Sequence, residues 1–472
     1  MRLSVERAAT RLEGPLLFLK RTVEAGLGDA VEVTGIDGRA RLGRVAAIDR
    51  EVMTIEVLES TSGLALSQTA VRFHGEPLSF GLAPGILGRV FNGVGQVIDG
   101  GPPIAARERH AIDGLPINPV ARANPRDFIE TGVTTLDLMN SLVRGQKLPL
   151  FSGGGLPHDR LAVEIATHAR LRGSDGGDFA IVFAGIGVPH DSAQFFRSRL
   201  EQGGALARTA LFLNLASDSS TQRLLTPRFA LTAAEYLAFV EGKHVLVILT
   251  DMTNYCEALR EVSSSKGEIP SRKGFPGYMY SDLASLFERA GILHGHAGSL
   301  TQLSILTMPA DDIGHPIPDL TGYITEGQIV LSRDLDRQGL YPPVNVLPSL
   351  SRLMKDGTGG RYTHPDHPAL ASQLYAAYAR AVQARVLSSV VGEEGLADTD
   401  RRYLAFGASF EHEVVHQDGA RTLEESMAVG WKLLARLPVT ELSRLSDAQI
   451  DAHLSVPVRE PASAAVALTG AV

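Results

Sequence analysis

The sequence has almost no cysteine, because Cys256 is the only one among 472 residues. A single thiol excludes an internal disulfide framework and is typical of a chain that works in a reducing compartment. The sequence also lacks an apolar run of the roughly 20 residues that a membrane-spanning helix needs. Residues 1–10 carry scattered charges and no apolar signal core. We therefore predict a cytoplasmic protein whose contact with any membrane is indirect.

An excess of positive charge is also missing. The chain has 45 Lys and Arg against 53 Asp and Glu, a net charge of -8, and no long basic block. Strong binding to nucleic acid without sequence preference depends on such basic blocks, so nucleic acid is not a predicted partner. The 44% of hydrophobic residues is ordinary for a globular protein, and the length predicts two or three domains.

Three segments differ in their hydrophobic pattern. Residues 1–75 show short apolar and polar alternations broken by turn pairs such as Asp37-Gly38, which predicts an N-terminal β-barrel. In residues 76–363 a Gly- and Pro-rich junction precedes apolar runs that alternate with helical stretches, which predicts an α/β domain with a largely parallel sheet. Residues 364–472 have helical periodicity and a weakly patterned end, which predicts a C-terminal helical bundle with a flexible tail.

Residues 151–162 have the form of a phosphate-binding loop (P-loop) between an apolar strand and an amphipathic helix. Three glycines follow the strand: Gly153, Gly154 and Gly155. The fixed positions of the G-x-x-x-x-G-K-[ST] pattern are all altered: they hold Ser152, Pro157, His158 and Asp159. Pro157 lacks an N–H donor and Asp159 adds negative charge, so strong nucleotide binding is not expected. The pattern predicts a nucleotidase fold of the RecA-like type with a degenerate P-loop.

Two further positions agree with a nucleotidase fold that has lost activity. Asp251 ends a buried apolar run, as a magnesium-binding carboxylate would, although such an Asp caps the following helix about as often. Val188 stands where a hydrolytic relative would carry a carboxylate that orients water. Without that acid and without the lysine, hydrolysis by this chain alone is not expected.

One motif indicates different chemistry. His412-Glu413-Val414-Val415-His416 matches H-E-x-x-H, in which two histidines one helical turn apart bind zinc. The longer zincin pattern would need a third histidine where Thr422 stands, and a catalytic zinc needs three protein ligands. We favour a solvated helix face and predict no bound metal.

Several stretches, taken together, resemble the B subunit of the vacuolar and archaeal-type rotary ATPases. They are spread over nearly the whole chain and comprise residues 144–149, 151–158, 274–280, 319–328 and 347–354. The resemblance implies a non-catalytic subunit that alternates with three catalytic A subunits in a hexameric head, around a rotating stalk. It also implies contacts with central-stalk and peripheral-stalk subunits, and a place on the cytoplasmic face of a membrane.

The resemblance also assigns residues. Arg352 matches the family's arginine finger, which reaches across the interface to phosphates held by the catalytic A subunit. Tyr323 and Ser351 match positions at that interface and are expected to make supporting contacts with ATP. The resemblance implies that ATP or ADP with Mg²⁺ is held mainly by the A subunit, and that the degenerate loop is a vestige.

Two other functions stay open at this point. A homohexameric, RNA-dependent motor of the transcription-terminator type shares the barrel and nucleotidase plan, although the acidic balance opposes it. A zinc hydrolase would use His412 and His416. The direction of catalysis, ATP synthesis or hydrolysis, also stays open.

Overall fold

The computed structural model describes residues 4–6, 9–114, 117–172 and 178–454. The strands in chain order are β1 Ser4–Glu6, β2 Ala9–Glu13, β3 Leu16–Lys20, β4 Asp29–Thr34, β5 Ala40–Ile48, β6 Val52–Val57, β7 Ala70–Pro77, β8 Ser79–Leu82, β9 Val90–Asn92, β10 Glu108–Ala111, β11 Arg122–Ala123, β12 Phe128–Glu130, β13 Leu142–Val143, β14 Lys147–Gly153, β15 Arg170–Leu171, β16 Phe179–Val188, β17 Thr209–Leu215, β18 His244–Thr250, β19 Gly291–Leu293, β20 Ser299–Met308, β21 Gly327–Leu331 and β22 Val344–Ser351.

The α-helices in chain order are α1 Thr134–Met139, α2 His158–His168, α3 His190–Gln202, α4 Ser220–Glu235, α5 Met252–Ser265, α6 Met279–Phe287, α7 Pro316–Ile324, α8 Arg333–Arg337, α9 Met354–Gly357, α10 His367–Val391, α11 Asp398–Phe410, α12 Leu423–Leu434 and α13 Asp447–His453. Within the described ranges, no helix is long and apolar enough to cross a bilayer.

The N-terminal strands form one antiparallel sheet in the order β1-β7-β4-β5-β6-β3-β2. Alternate residues of these strands point to a common apolar core that contains Leu17, Val31, Ile55 and Phe73. The described strands β1 and β2 lie at opposite ends of the order and do not pair, so the sheet is open where a barrel would close. Closure into a barrel stays a prediction. The last strand extends to Pro77, two residues past the predicted boundary at 75.

The central sheet has the order β22-β21-β14-β20-β18-β16-β17-β9, with β19 paired to β20 and β11 to β19. Its strands from β21 to β9 run parallel, whereas β22 is antiparallel to β21. Every residue of β16 is buried, as expected for a parallel strand covered on both faces. The predicted largely parallel sheet is therefore confirmed.

Helices cover both faces of this sheet because strand side chains alternate between the faces. On one face, Ile181 and Phe183 pack with residues of α2 and α3, and on the other, Val182 and Ala184 pack with α4, α5 and α6. The amphipathic helix predicted after the loop is confirmed as α2: its residues Leu161, Ala162, Ile165 and Ala166, and Ala169 directly after it, are all buried. Burial of one such leucine contributes about 1.5–3 kcal/mol.

The C-terminal segment is helical, as predicted, and its main helices are α10, α11 and α12. Thr422 and Glu425 form a capping box that begins α12. The core of these helices also contains residues that precede them in the chain, among them Phe128, Leu138 and Val346. The helices are therefore packed directly onto the α/β segment. The predicted boundary at 363/364 falls just before α10, and the predicted flexible tail lies outside the described residues.

Candidate functional site

The degenerate loop lies where a nucleotidase would bind phosphate. β14 ends at Gly153, a turn follows, and α2 begins at His158. β14 is an inner strand, paired with β20 and β21, and ligands of open α/β sheets bind at the carboxyl ends of such strands. The predicted strand, loop and helix are therefore all present at this position.

The polar side chains of the loop make hydrogen bonds within the chain. His158 Nδ1 lies 2.9 Å from Ser152 Oγ, so the ring is folded back onto the end of β14. Asp159 Oδ2 accepts a hydrogen bond of 2.9 Å from Ser192 Oγ. The His158 ring is therefore engaged by the end of β14.

The backbone amides of the loop are also engaged. Leu156 N donates to Gly153 O at 3.1 Å, and His158 N donates to Leu156 O at 2.8 Å. Pro157, between them, has no N–H to donate. A P-loop binds phosphate through such backbone amides. Three consecutive positions of this loop are therefore unable to offer a free donor.

An ion pair from two other segments covers the loop. The Arg333 guanidinium binds both carboxylate oxygens of Asp311, at 2.6 and 2.9 Å, and donates to Gly154 O at 2.9 Å. A Cβ atom on Gly153 would lie 2.2 Å from Asp311 Oδ1, so this carboxylate rests directly on the loop. The neighbouring guanidinium lowers the pKa of Asp311. A negative charge thus lies directly against the loop.

Asp251 acts as a helix cap in this structure. Its Oδ1 accepts hydrogen bonds from Thr253 N at 2.8 Å and from Thr307 N at 3.1 Å, and the Thr307 hydroxyl binds Oδ2. Burial raises the pKa of this carboxyl group. The capping interpretation of Asp251 therefore accounts for the contacts that it makes.

Val188, the other position singled out with Asp251, is buried at the end of β16.

Arg352 lies at the opposite edge of the sheet from the loop. Gly327 at the start of β21 pairs with Ser351 at the end of β22, and β21 runs parallel to β14. Arg352 therefore follows the amino-terminal edge, whereas Gly153 ends β14 at the carboxyl edge. Because β14 has 7 residues, about 20 Å separates the two edges.

The guanidinium of Arg352 faces solvent. The residue is exposed, and Nη1 makes one long hydrogen bond of 3.4 Å to Thr325 O. In the described part of the chain, no carboxylate forms an ion pair with it. Tyr323, on α7 two residues before Thr325, is 74% exposed. Both side chains are therefore free to contact another molecule.

Ser351 differs from its neighbour. It is only 7% exposed, its hydroxyl donates to Ser141 O at 2.8 Å, and it accepts from Gln146 Nε2 at 3.0 Å. Its predicted contact with ATP stays a prediction, while the contacts that the structure shows are internal.

The H-E-x-x-H motif does not lie on a regular α-helix. Residues Glu411–Val415 form a π-helical turn, and His416 follows with an extended backbone. His416 Nδ1 accepts from Tyr341 N at 3.1 Å, and Glu413 binds Arg436 at 2.5 Å and Lys432 at 3.2 Å. Across the described ranges, no group of three or more His, Cys, Asp or Glu residues is placed to hold a metal ion. The motif therefore lacks both a third ligand and a free glutamate.

Comparisons with known proteins agree with this architecture. Residues 132–351 match the ATP synthase alpha/beta family, nucleotide-binding domain, and residues 356–454 match the C-terminal domain of V and A type ATP synthase. The V-type ATP synthase beta chain of Halothermothrix orenii is 53% identical over 449 residues, which cover 95% of this chain and 97% of that protein. This chain belongs to the V-type ATP synthase beta chain family.

Two further relatives support the assignment. V-type ATP synthase beta chain 2 of Clostridium tetani is 50% identical over 446 residues, 94% of this chain and 97% of the relative. The solved structure titled "Structure of a unique ATP synthase subunit NeqB from Nanoarcheaum equitans" is 36% identical, with a TM-score of 0.72. It matches 90% of this chain and 100% of its own. The predicted family is confirmed, which favours the rotary interpretation over an RNA motor or a zinc hydrolase.

Some residues of this site were not predicted from the sequence. Asp311 and Arg333 cover the loop although they lie far from it in the chain, and Gln146 contacts the residue before Arg352. Buried contacts between such distant segments leave no local pattern in the sequence. The altered residues of the loop were the only feature of the sequence that pointed to a change at this site.

Proposed function

We propose that this chain is the non-catalytic B subunit of a V/A-type rotary ATP synthase or ATPase head. In this proposal it alternates with catalytic A subunits in an A3B3 hexamer and supplies Arg352 to the ATP site at the A/B interface. The position of Arg352 carries the proposal: it is exposed, lacks a carboxylate partner in the described residues, and lies at the sheet edge opposite the chain's own loop. An arginine placed there serves a neighbour's phosphates and not its own loop.

The proposed chemistry is electrostatic stabilisation in trans. A guanidinium is permanently charged and presents a planar fork of donors to a phosphoryl group. Arginine fingers contribute about 10³ to 10⁵ in rate in the NTPases where they have been measured. In this proposal the A subunit holds ATP or ADP with Mg²⁺, and the exposed Tyr323 makes a supporting contact at the same interface.

In this proposal the degenerate loop binds no nucleotide. Its side chains and amides bind one another, and the Asp311 carboxylate rests against Gly153. Phosphate would have to displace that carboxylate and would gain no lysine in return. The loop therefore serves as a structural turn between β14 and α2.

Placement of Arg352 at an interface links chemistry to assembly. When the interface closes, the positive charge approaches the phosphates, and when it opens, the charge withdraws and product release becomes easier. Interfaces at different stages of this cycle would couple ATP synthesis or hydrolysis to rotation and ion transport. Central-stalk and peripheral-stalk subunits would connect the head to the cytoplasmic face of the membrane.

The experiment is Arg352→Ala in a hexamer assembled with the A subunit. We expect normal assembly and a fall in ATP turnover of about 100-fold or more. Arg352→Lys should recover only part of the rate, because lysine keeps the charge but loses the planar fork.

Arg337→Ala is the matched control, since Arg337 is also a surface arginine, with a side chain 70% exposed. It should leave turnover unchanged. Wild-type turnover by a verified Arg352→Ala hexamer would contradict the arginine finger.

A further inference from the structure

A fully buried glutamine lies directly behind Arg352. Gln146 precedes β14, and its Nε2 donates to Ser351 Oγ at 3.0 Å and to Glu326 O at 3.1 Å. Its Oε1 accepts from Val143 N at 3.0 Å. Both polar atoms of the amide are therefore engaged, and a buried amide in this state is held in one orientation.

Glu326 connects the glutamine to Arg352. The Glu326 carbonyl that accepts from Gln146 also accepts from Arg352 N, at 3.0 Å. Its carboxylate binds Lys147 twice: Oε2 accepts from the backbone N at 2.7 Å, and Oε1 lies 2.8 Å from Nζ. Glu326 N donates to Lys147 O at 3.0 Å. Glu326 is thus fixed to the start of β14 through both its backbone and its side chain.

The start of β21 has no room for a side chain beside β22. Gly327 has φ of +134°, and a Cβ atom at this position would lie 2.0 Å from Leu350 O. Only glycine permits this approach of β21 to β22. The backbone just before Arg352 is therefore held by a close strand contact, by Gln146 and by Glu326.

The side chain of Arg352, by contrast, is almost free. Its one hydrogen bond within the described part of the chain is the 3.4 Å contact of Nη1 with Thr325 O. A long, mobile side chain reaches a defined point only if its backbone is fixed, and small displacements from productive geometry cost a large part of the rate. The position of the guanidinium thus depends on the backbone of residues 351 and 352.

We propose that Gln146 is a positioning residue for Arg352, with Glu326 and Lys147 as the connection to the start of β14. This inference rests on the proposed arginine finger. In this role Gln146 does not contact the nucleotide. It fixes the end of β22, so that Arg352 approaches the neighbouring subunit's phosphates from one direction and only side-chain entropy, not backbone entropy, is lost when the interface orders it.

The test is Gln146→Leu in the A3B3 hexamer, which keeps similar bulk and removes the amide. We expect kcat to fall by about 10-fold to 100-fold. The KM for ATP should change less than about twofold, because the A subunit holds the triphosphate.

Gln302→Leu is the matched control. Gln302 is also buried, on the neighbouring strand β20, and its Nε2 donates to Leu286 O, away from Arg352. Its loss should leave kcat unchanged.

A double variant separates positioning from a general structural effect. If Gln146 acts through Arg352, adding Gln146→Leu to Arg352→Ala should slow turnover no further, because residues that act as a unit are not additive. The proposal would be overturned if Gln146→Leu lowered kcat by the same factor with and without Arg352→Ala, or if a verified Gln146→Leu hexamer had a normal kcat.

If Gln146→Leu does not fold, Ser351→Ala provides a second test, because it removes the hydroxyl that Gln146 binds. An unchanged kcat in Ser351→Ala would equally overturn the proposal. Arg352→Ala measured alone tests the finger itself, so failure of the two proposals is distinguishable.

Discussion

Arg352 contrasts with the arginines that hold the fold together. Arg289 is buried, and its guanidinium binds both Glu235 oxygens at 2.6 Å and Ile112 O at 2.9 Å. Removal of one partner of such a buried pair costs about 3–5 kcal/mol. Arg352 has none of these contacts, so its replacement should cost little stability. Because Arg352→Ala should stay folded, a fall in its ATP turnover would report the loss of the guanidinium and not a loss of stability.

His367 should make the stability of the helical segment depend on pH. It is fully buried, with Nε2 3.0 Å from Leu138 O and Nδ1 3.1 Å from Thr363 Oγ1, and burial lowers its pKa to about 4. The unfolded chain, with a histidine pKa near 6.5, binds the proton first. Stability from this group is therefore complete above about pH 6.5 and is lost as the pH falls toward 4. Between pH 7 and pH 5 we expect a loss of about 2 kcal/mol.

Urea unfolding followed by the fluorescence of Trp431 measures this effect, because Trp431 is the single tryptophan and lies in the core of the C-terminal helices. His367→Gln should be less stable at pH 7 and should lose less stability than wild type on acidification. His412→Gln, at an exposed position, serves as the control and should keep the wild-type pH dependence. Equal pH dependence in wild type and His367→Gln would exclude His367 as the cause.

At the scale of elements, β14, the loop and α2 keep the strand, loop and helix shape that the sequence predicts, whereas the fixed positions of the P-loop pattern hold Ser152, Pro157, His158 and Asp159. The apolar strand and the amphipathic helix preserve the shape, because their burial stabilises the domain whatever the loop binds. The loop itself is free to change once no ligand depends on it. The Arg333–Asp311 pair then closes the space with an internal charge pair.

Calorimetry of the isolated chain with Mg-ATP tests this view of the loop. We expect no saturable binding at micromolar protein, because Pro157 and Asp159 remain unfavourable and the amides of Leu156 and His158 are occupied. Asp311→Ala should not create tight binding, since the loop still lacks its lysine. Tight Mg-ATP capture that is lost when Gly154 and Gly155 are replaced would show that the loop is functional.

The sequence predicted elements better than contacts. The apolar run of β16 and the face of α2 follow from local periodicity, and the altered loop at Pro157 and His158 follows from comparison with the P-loop pattern. The burial of Ser351 was not predictable, because it depends on Ser141 and Gln146, more than 200 positions away in the chain. The π-helical turn at Glu411–Val415 was missed as well, because its sequence continues the helical pattern of α11. Resemblance to a family, and not periodicity, singled out Arg352.

For the whole molecule, the proposal places no complete active site in one chain. The isolated B subunit should hydrolyse no measurable ATP, and turnover should appear on mixing with the A subunit. Because each site would need one Arg352, activity at a fixed concentration of the catalytic partner should rise with added chain and level off at an equal molar ratio. ATPase assays across such a titration, with contaminating catalytic partner removed from the starting material, provide the measurement. A robust rate from the purified chain alone would contradict shared active sites.

Strand β22 touches two parts of the molecule at once. Near its beginning, Val346 lies in the core of the C-terminal helices, and Tyr375 of α10 donates to Leu347 O at 3.1 Å. Its other end, about 20 Å along the strand, carries Arg352. Because β22 contacts α10 near one end and carries Arg352 at the other, we expect a displacement of α10 to shift the backbone of Arg352 as well, without unfolding of any element between them.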